Sequence, residues 1–177
     1  DSEHPSQHII DMSENEIEVP EDYTREELRQ DLLCYTSPVL KENLVLTGDM
    51  TAELYISSDA PDTDFVVRVT DVDENGRSIK LADGLLSARY RNGFARSEFL
   101  QEGEIVCLKI RTTKLSNCFR KGHRIRVTVT SSAKNFIFPN SNTRESLASA
   151  QTVVAHNRKS HGGLHAYRLT ERVEPKT

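Results

Sequence analysis

The residues best suited to chemistry in this 177-residue chain are acidic and lie in two short runs. Asp59, Asp62 and Asp64 surround a proline, and the segment 71–76 (Asp-x-Asp-x-Asn-Gly) opens like an EF-hand calcium loop. That loop needs a bidentate Glu at its twelfth position, where this chain has Ala82. We interpret the second run as a hairpin turn whose Asn-Gly supplies positive φ angles. The first run is expected to form turns in which Asp side chains bond their own backbone, with a calcium site as the alternative.

No set of residues predicts catalysis. His161 and His165 have the spacing of a helical metal pair, but two glycines and no Glu lie near them, which excludes the H-E-x-x-H motif. His123 is interpreted as a hydrogen-bonded turn residue. The chain lacks a G-x-S-x-G elbow, and Ser131 and Ser132 end an alternating strand without flanking glycines. We therefore expect no catalytic triad, no metal site and no cofactor in this chain.

Apolar residues recur at every second position from Leu44 onward, which predicts half-buried strands of antiparallel sheets. The strongest runs are 51–56, 65–70, 106–111 and 124–129, and shorter candidates are 44–46, 79–81, 85–90, 152–156 and 164–169. The expected fold is an all-β jelly-roll β-sandwich. Short helices are expected near residues 143–150 and near the N-terminus, where Thr24-x-x-Glu27 fits a capping box.

Charge and composition divide the chain into an acidic linker or arm, residues 1–22, and one β-sandwich domain, residues 23–177. Residues 1–31 have a net charge of −9 and the remainder +5. The positive charge is spread along strands with few aromatics, so nucleic acid is not an expected partner. No window approaches the about 18 consecutive apolar residues of a membrane helix, so no membrane is expected either. Three widely spaced cysteines favour a reducing, cytoplasmic location, although secretion of a longer parent protein stays open.

Several motifs together resemble one known family. They are Ser57–Phe65 with the following Asp71-Val72, then 122–126 and Ser131-Ser132, with looser similarity at 31–40 and 140–143. They resemble the C-terminal, non-catalytic domain of X-Pro dipeptidyl-peptidases, cocaine esterases and α-amino-acid ester hydrolases, over about residues 28–170.

The resemblance implies a jelly roll of galactose-binding-like topology that packs on a preceding α/β-hydrolase domain of the same polypeptide. That domain would hold the catalytic serine, aspartate and histidine of a peptidase or esterase, and this domain would help to wall the cleft and contribute to homo-oligomer contacts. Candidate interface or cleft residues are Tyr35, Pro38, Val39, Phe136 and Phe138.

Two other functions are weighed against this accessory role. The first is a free-standing jelly-roll module that binds carbohydrate or protein, although the chain has no Trp and only 6% aromatic residues. The second is a hydrolase with an unrecognised site of its own. The residues 133–139 and 161–165 depart from the pattern of the family, so substrate specificity is not carried over from it.

Overall fold

The computed structural model describes residues 21–134, 136–145, 153–159 and 165–166, and these are almost entirely antiparallel β-structure. Two single turns of 3₁₀-helix, Glu26–Leu28 and Ala88–Tyr90, are the helical elements of the described residues, and none of their helices is long and apolar enough to cross a membrane. The strands are β1 Leu33–Thr36, β2 Leu44–Gly48, β3 Thr51–Ser58, β4 Asp64–Val72, β5 Ser78–Ser87, β6 Val106–Arg111, β7 Leu115–Phe119, β8 Arg124–Thr130, β9 Asn157–Lys159 and β10 His165–Ala166.

The strands form two main sheets that enclose one apolar core. The first sheet has the order β1-β8-β4-β5, and the second has the order β10-β3-β6, with β9 also paired to β3. Strands β2 and β7 form a separate two-stranded sheet. The core combines side chains of both main sheets, among them Leu54, Leu108, Ile110, Val67 and Val129. The all-β architecture expected from the period-two pattern is therefore confirmed.

Strand β4 differs from the expectation of one buried and one wet face. Val66, Arg68 and Thr70, on the face expected to be wet, are as buried as the core-facing residues of β4. The reason is a segment without apolar periodicity, residues 21–32, which we call the N-terminal strap. It covers the outer face of the first sheet: the Tyr23 ring lies on Arg68, and the Glu27 carboxylate accepts the Thr70 hydroxyl at 3.1 Å.

The predicted capping box at the start of the strap is wrong. Arg25, not Thr24, precedes the 3₁₀ turn, and no side chain caps it. The Thr24 hydroxyl instead donates to Asp22 and accepts the Ser78 amide. The Glu27 carboxylate accepts from Arg126 Nη1 at 2.6 Å, so both capping side chains are used in long-range contacts.

Strand boundaries also differ from the sequence pattern. The predicted strand 79–81 and residues 85–87 of the predicted strand 85–90 are one strand, β5, with an irregular register opposite Val69/Thr70, whereas residues 88–90 form the second 3₁₀ turn. Gly84 lies within β5. A Cβ at this position would meet the Arg111 carbonyl oxygen at 2.4 Å, so the close approach of the two backbones requires a glycine. In the predicted strand 152–156, residues 153–156 are not strand, and β9 begins at Asn157. The expected helix near 143–150 lies largely outside the described residues, and its part 143–145 is a bend.

The loops gather at two ends of the first sheet. Strand β8 begins beside the loops 37–43 and 73–77 and the turn 120–123, which we call the hairpin end. It finishes beside the segments 59–63, 88–105, 131–145 and 153–156, which we call the loop end. Seven residues of extended strand are about 20 Å long, so the two ends are separate surfaces.

Candidate functional site

The aspartates of the first acidic run bind distant segments of the loop end. Asp59 accepts the backbone amide of His156 at 2.7 Å and the His156 Nδ1 at 2.8 Å. Asp62, which is fully buried, accepts both the backbone amide and the Nε of Arg89, at 2.8 and 2.7 Å. These carboxylates were expected to bond their own backbone, and they also bind distant segments, because β3 and β4 bring them to the point where three loop segments meet.

Asn140 joins two of these carboxylates. Its Nδ2 donates to Asp62 at 2.7 Å and to Asp64 at 2.8 Å, so one amide group bridges the pair. Burial raises the pKa of Asp64, and the neighbouring Asp62 charge adds to that effect, while Ser87, Asn140 and Arg89 act against it. Arg89 extends the network by donating from Nη2 to the Thr143 carbonyl at 3.0 Å. We call Asp62, Asp64, Arg89 and Asn140 the aspartate hub.

The second acidic run forms the expected hairpin turn. The Asp73 carboxylate accepts the amides of Asn75 and Arg77 at 2.8 and 2.9 Å, and Gly76 alone of the Asn-Gly pair has a positive φ, +85°. Asp71 lies 2.9 Å from the Nδ1 of His123, which makes that histidine a bonded turn residue as expected. Within the described ranges no group of three or more His, Cys, Asp or Glu side chains could hold a metal ion.

A cavity of about 880 Å³ opens at the loop end beside the hub. Its polar lining includes Asn157, whose Nδ2 donates to Thr63 and to Ser131, both at 3.1 Å. Its apolar lining includes Phe136, which is 47% exposed, and Phe138, which is 87% exposed. The polar side of the cavity is therefore formed by an amide and hydroxyl groups that bond to one another. Its other side is formed by aromatic rings that are exposed to solvent.

Half of the large apolar side chains that are exposed among the described residues lie at this end of the molecule. Phe138 is accompanied by other large side chains that the described structure leaves uncovered, namely Phe94, Ile105, Phe136, Val153 and Val154. The loops that carry them are held together by the stacking of Arg89 and Arg144 on the Phe99 ring and by the bond from the Val153 amide to the Ser141 carbonyl. An apolar surface built on bonded loops is typical of a contact site.

The five candidate interface residues do not form one patch. Phe136 and Phe138 lie at the loop end, whereas Pro38 and Val39 lie in the loop at the hairpin end. Tyr35 lies between them on β1 and lines a second, apolar pocket near the hairpin end. The sequence placed them in one group because it does not show on which side of β8 each loop lies.

No catalytic triad is assembled from the described side chains. The Asp59–His156 pair is largely exposed, and Ser131 accepts a bond from Asn157 instead of a histidine. His161 lies outside the described residues, and only the backbone of His165 is described, in β10. The site is therefore an apolar surface with a cavity, carried by hydrogen-bonded loops and without an activated nucleophile among the described residues.

Comparison with known proteins identifies this architecture. The model of the X-Pro dipeptidyl-peptidase C-terminal non-catalytic domain matches residues 5–170. The chain belongs to this family. It is 40% identical over 142 residues to the cocaine esterase of Rhodococcus sp. (strain MB1 Bresler), a match that covers 77% of this chain and 24% of the esterase. The resemblance drawn from the motifs is thus confirmed.

Solved structures agree with the family assignment. An aminopeptidase from the marine sediment archaeon Thaumarchaeota archaeon has a TM-score of 0.76 at 27% identity, over 80% of this chain and 25% of its own. An α-amino acid ester hydrolase has the same fold, with a TM-score of 0.71 at 23% identity and the same coverage. The chain spans about a quarter of the length of these relatives. It is a non-catalytic accessory domain of the type found in this hydrolase family.

The sequence missed the partners of the hub. Asn140 belongs to the loosely matching stretch 140–143, which was the available signal, but Arg89 is 27 positions from Asp62 and Asn140 is 78 positions away. The same is true of the pair formed by buried Glu27 and partly exposed Arg126, which is separated by 99 positions. No spacing rule connects residues so far apart.

Proposed function

We propose that this domain is the accessory C-terminal β-sandwich of a serine hydrolase, a jelly roll of galactose-binding-like topology that packs its loop end on a catalytic α/β-hydrolase domain. In this role it holds the catalytic domain and shapes the cleft that admits substrate. The parent acts on amides or esters, as the names of the aminopeptidase and esterase relatives suggest. A cytoplasmic location and a homo-oligomer stay predictions from the sequence.

The observation that carries the proposal is the concentration of exposed apolar side chains on loops that a buried charge network fixes. Phe138 is 87% exposed in the same structure that buries Asp62 completely and bonds it to Arg89 and Asn140. Exposed aromatics on rigid supports are typical of interface anchors, because little conformational freedom is lost when they are buried.

The test compares two equally exposed apolar residues in the polypeptide that contains both domains. Phe138→Asp changes the loop end, and Leu28→Asp changes the strap, where Leu28 is 80% exposed. We expect Phe138→Asp to lower kcat/KM on an X-Pro amide or an aryl ester by about ten-fold, equivalent to roughly 1.4 kcal/mol. It should also separate one thermal transition into two, whereas Leu28→Asp changes neither property.

The isolated 177-residue chain supplies the control for folding. Both substitutions should leave its thermal midpoint unchanged, because both side chains are exposed there. Equal effects of the two substitutions in the two-domain polypeptide would show that the loop end is not the docking surface. A parent that keeps full activity and a single transition with Phe138→Asp would also contradict the proposal.

A further inference from the structure

A second pocket lies near the hairpin end, away from the proposed docking surface. Strands β1 and β8 of the first sheet form one wall, and the β2–β7 pair forms the opposite wall. Its volume is about 450 Å³. We call it the inter-sheet pocket; its apolar lining consists of Tyr35, Leu44, Leu46, Met50, Leu115 and Ile125, together with Val127.

The inter-sheet pocket is an opening into the hydrophobic core. Leu46, Leu115 and Val127 belong to the buried core, and Met50 and Ile125 are partly buried against it. Protein interiors are close-packed, and an apolar void costs stability in proportion to its volume. This pocket is open to solvent, so an apolar body that fills it gains free energy by removing the apolar lining from water.

Four polar side chains that line the pocket are already bonded within the protein. The Ser37 hydroxyl donates to the Pro38 carbonyl and accepts the Ile125 amide. The Thr36 hydroxyl accepts from Arg126 Nε at 2.8 Å, and Asp49 forms an ion pair with Arg111.

The Thr47 hydroxyl is likewise bonded to Ser116, at 3.1 Å. A ligand with a charge or several hydrogen-bonding groups would lose its water without gaining partners at these rim groups, which is unfavourable. The pocket therefore discriminates by polarity as well as by size.

We propose that the inter-sheet pocket is a binding site for a small, uncharged aromatic or branched aliphatic molecule. An apolar cavity of about 150 Å³ in another protein is known to bind benzene, so a volume of 450 Å³ accepts a single- or double-ring molecule. Because the pocket is near the hairpin end, it stays accessible when a partner covers the loop end. The site is independent of the proposed docking function.

Met50 provides a specific probe for this site. The chain contains two methionines, and the other, Met12, lies in the acidic N-terminal segment outside the described residues. In the 177-residue chain labelled with ¹³C-methyl methionine, we expect toluene to shift the Met50 methyl resonance saturably and to leave that of Met12 unchanged. Benzoate, which has the same ring and a charge, should shift neither resonance. At a hundred times its Kd, toluene should raise Tm by about 5 to 10 °C.

Two neighbouring residues of β2 give matched variants. Leu44 lines the pocket, whereas Val45 is half exposed on the opposite face of the same strand. Leu44→Trp should weaken the toluene response of Met50 at least about ten-fold by occupying the pocket, and Val45→Trp should leave it unchanged. Ile125→Trp, at a partly buried position on the β8 wall of the pocket, is a second blocking variant that serves if Leu44→Trp does not fold.

The results separate the proposal from its alternatives. Loss of the Met50 response in the blocking variants, with its retention in Val45→Trp, supports a ligand site in the pocket. The proposal is overturned if Met50 does not respond to toluene, if benzoate acts equally well, or if the blocking variants respond like the unaltered chain. Failure of the Phe138→Asp test would leave this result unaffected, since the two surfaces lie at different ends of the molecule.

Discussion

Replacement of Tyr23 tests how the strap stabilises the fold. Its ring lies 3.7 Å from the guanidinium carbon of Arg68, and the two residues are 0% and 1% exposed. Among the described residues, none bonds the three guanidinium nitrogens of Arg68. Burial lowers the pKa of Arg68, while Tyr23 and the carboxylates of Asp83 and Glu27 act in the opposite direction. The ring is therefore the nearest group that stabilises this buried cation.

The expected magnitudes follow from what each substitution removes. Tyr23→Phe keeps the ring and deletes the hydroxyl, whose bond to Glu21 is long at 3.4 Å, so it should cost about 1 kcal/mol. Tyr23→Leu keeps an apolar side chain but removes the aromatic face. A desolvated cation–π contact is worth about 2 kcal/mol, and the imperfect replacement of volume adds roughly 1 kcal/mol. The total of about 3 kcal/mol lowers Tm by roughly 6 to 12 °C for a domain of this size.

Urea unfolding of the 177-residue chain measures these costs, and a double-mutant cycle isolates the pair. Arg68→Met replaces the buried charge with an apolar side chain of similar length, a change that is often neutral or stabilising. In the Tyr23→Leu background it should recover about 2 kcal/mol, which is the coupling energy. If Tyr23→Leu costs no more than Tyr23→Phe, or if the coupling is near zero, the aromatic face is not what holds Arg68.

The aspartate hub supplies two further predictions. Because burial raises the pKa of Asp64, its folded state binds the proton more tightly than its unfolded state. Relative to Asp64→Asn, the unaltered chain should therefore gain stability as the pH falls from 7 through the raised pKa of Asp64. Urea unfolding of both proteins across pH 7 to 4 measures this difference. Urea midpoints that change in parallel for the two proteins would contradict it. Asp62→Ala leaves the Arg89 guanidinium without its carboxylate partner and Asn140 with Asp64 as its acceptor, and it should cost about 3 to 5 kcal/mol. The Val153 amide, which bonds to loop 139–143, should then exchange its hydrogen faster. An unchanged exchange rate would show that the hub does not hold these loops in place.

The regular part of the fold was predictable because each strand carries its own signal. Period-two alternation depends on neighbours within one strand, so the runs 51–56, 106–111 and 124–129 were found without knowledge of the rest of the chain. The same rule misjudged β4, since an alternating pattern shows only that two faces differ. Whether Val66 and Thr70 meet water is decided by the strap, which is distant in sequence and has no periodicity of its own.

The local polar motifs failed for a related reason. Thr24 and Glu27 have the spacing of a capping box, but a side chain bonds the partner that the whole fold brings closest. Glu27 is buried beside Thr70 and Arg126, where an unpaired carboxylate would be costly, so its bonds are made there and not with the local backbone. Short-range rules for polar residues therefore hold where the residue is not buried by distant segments, as for Asp73 in its turn.

The same reasoning about charge applies to the alternative of a calcium ion at the first acidic run, which stays a prediction. The positive charge beside Asp62 belongs to Arg89, whose guanidinium lies where a bound cation would otherwise balance the carboxylate. Unlike a metal ion, Arg89 is itself part of the segment 88–99, and it donates a hydrogen bond to the Thr143 carbonyl. A side-chain cation thus joins three loops into one surface, and the shape of the loop end depends on charge pairs built from this chain.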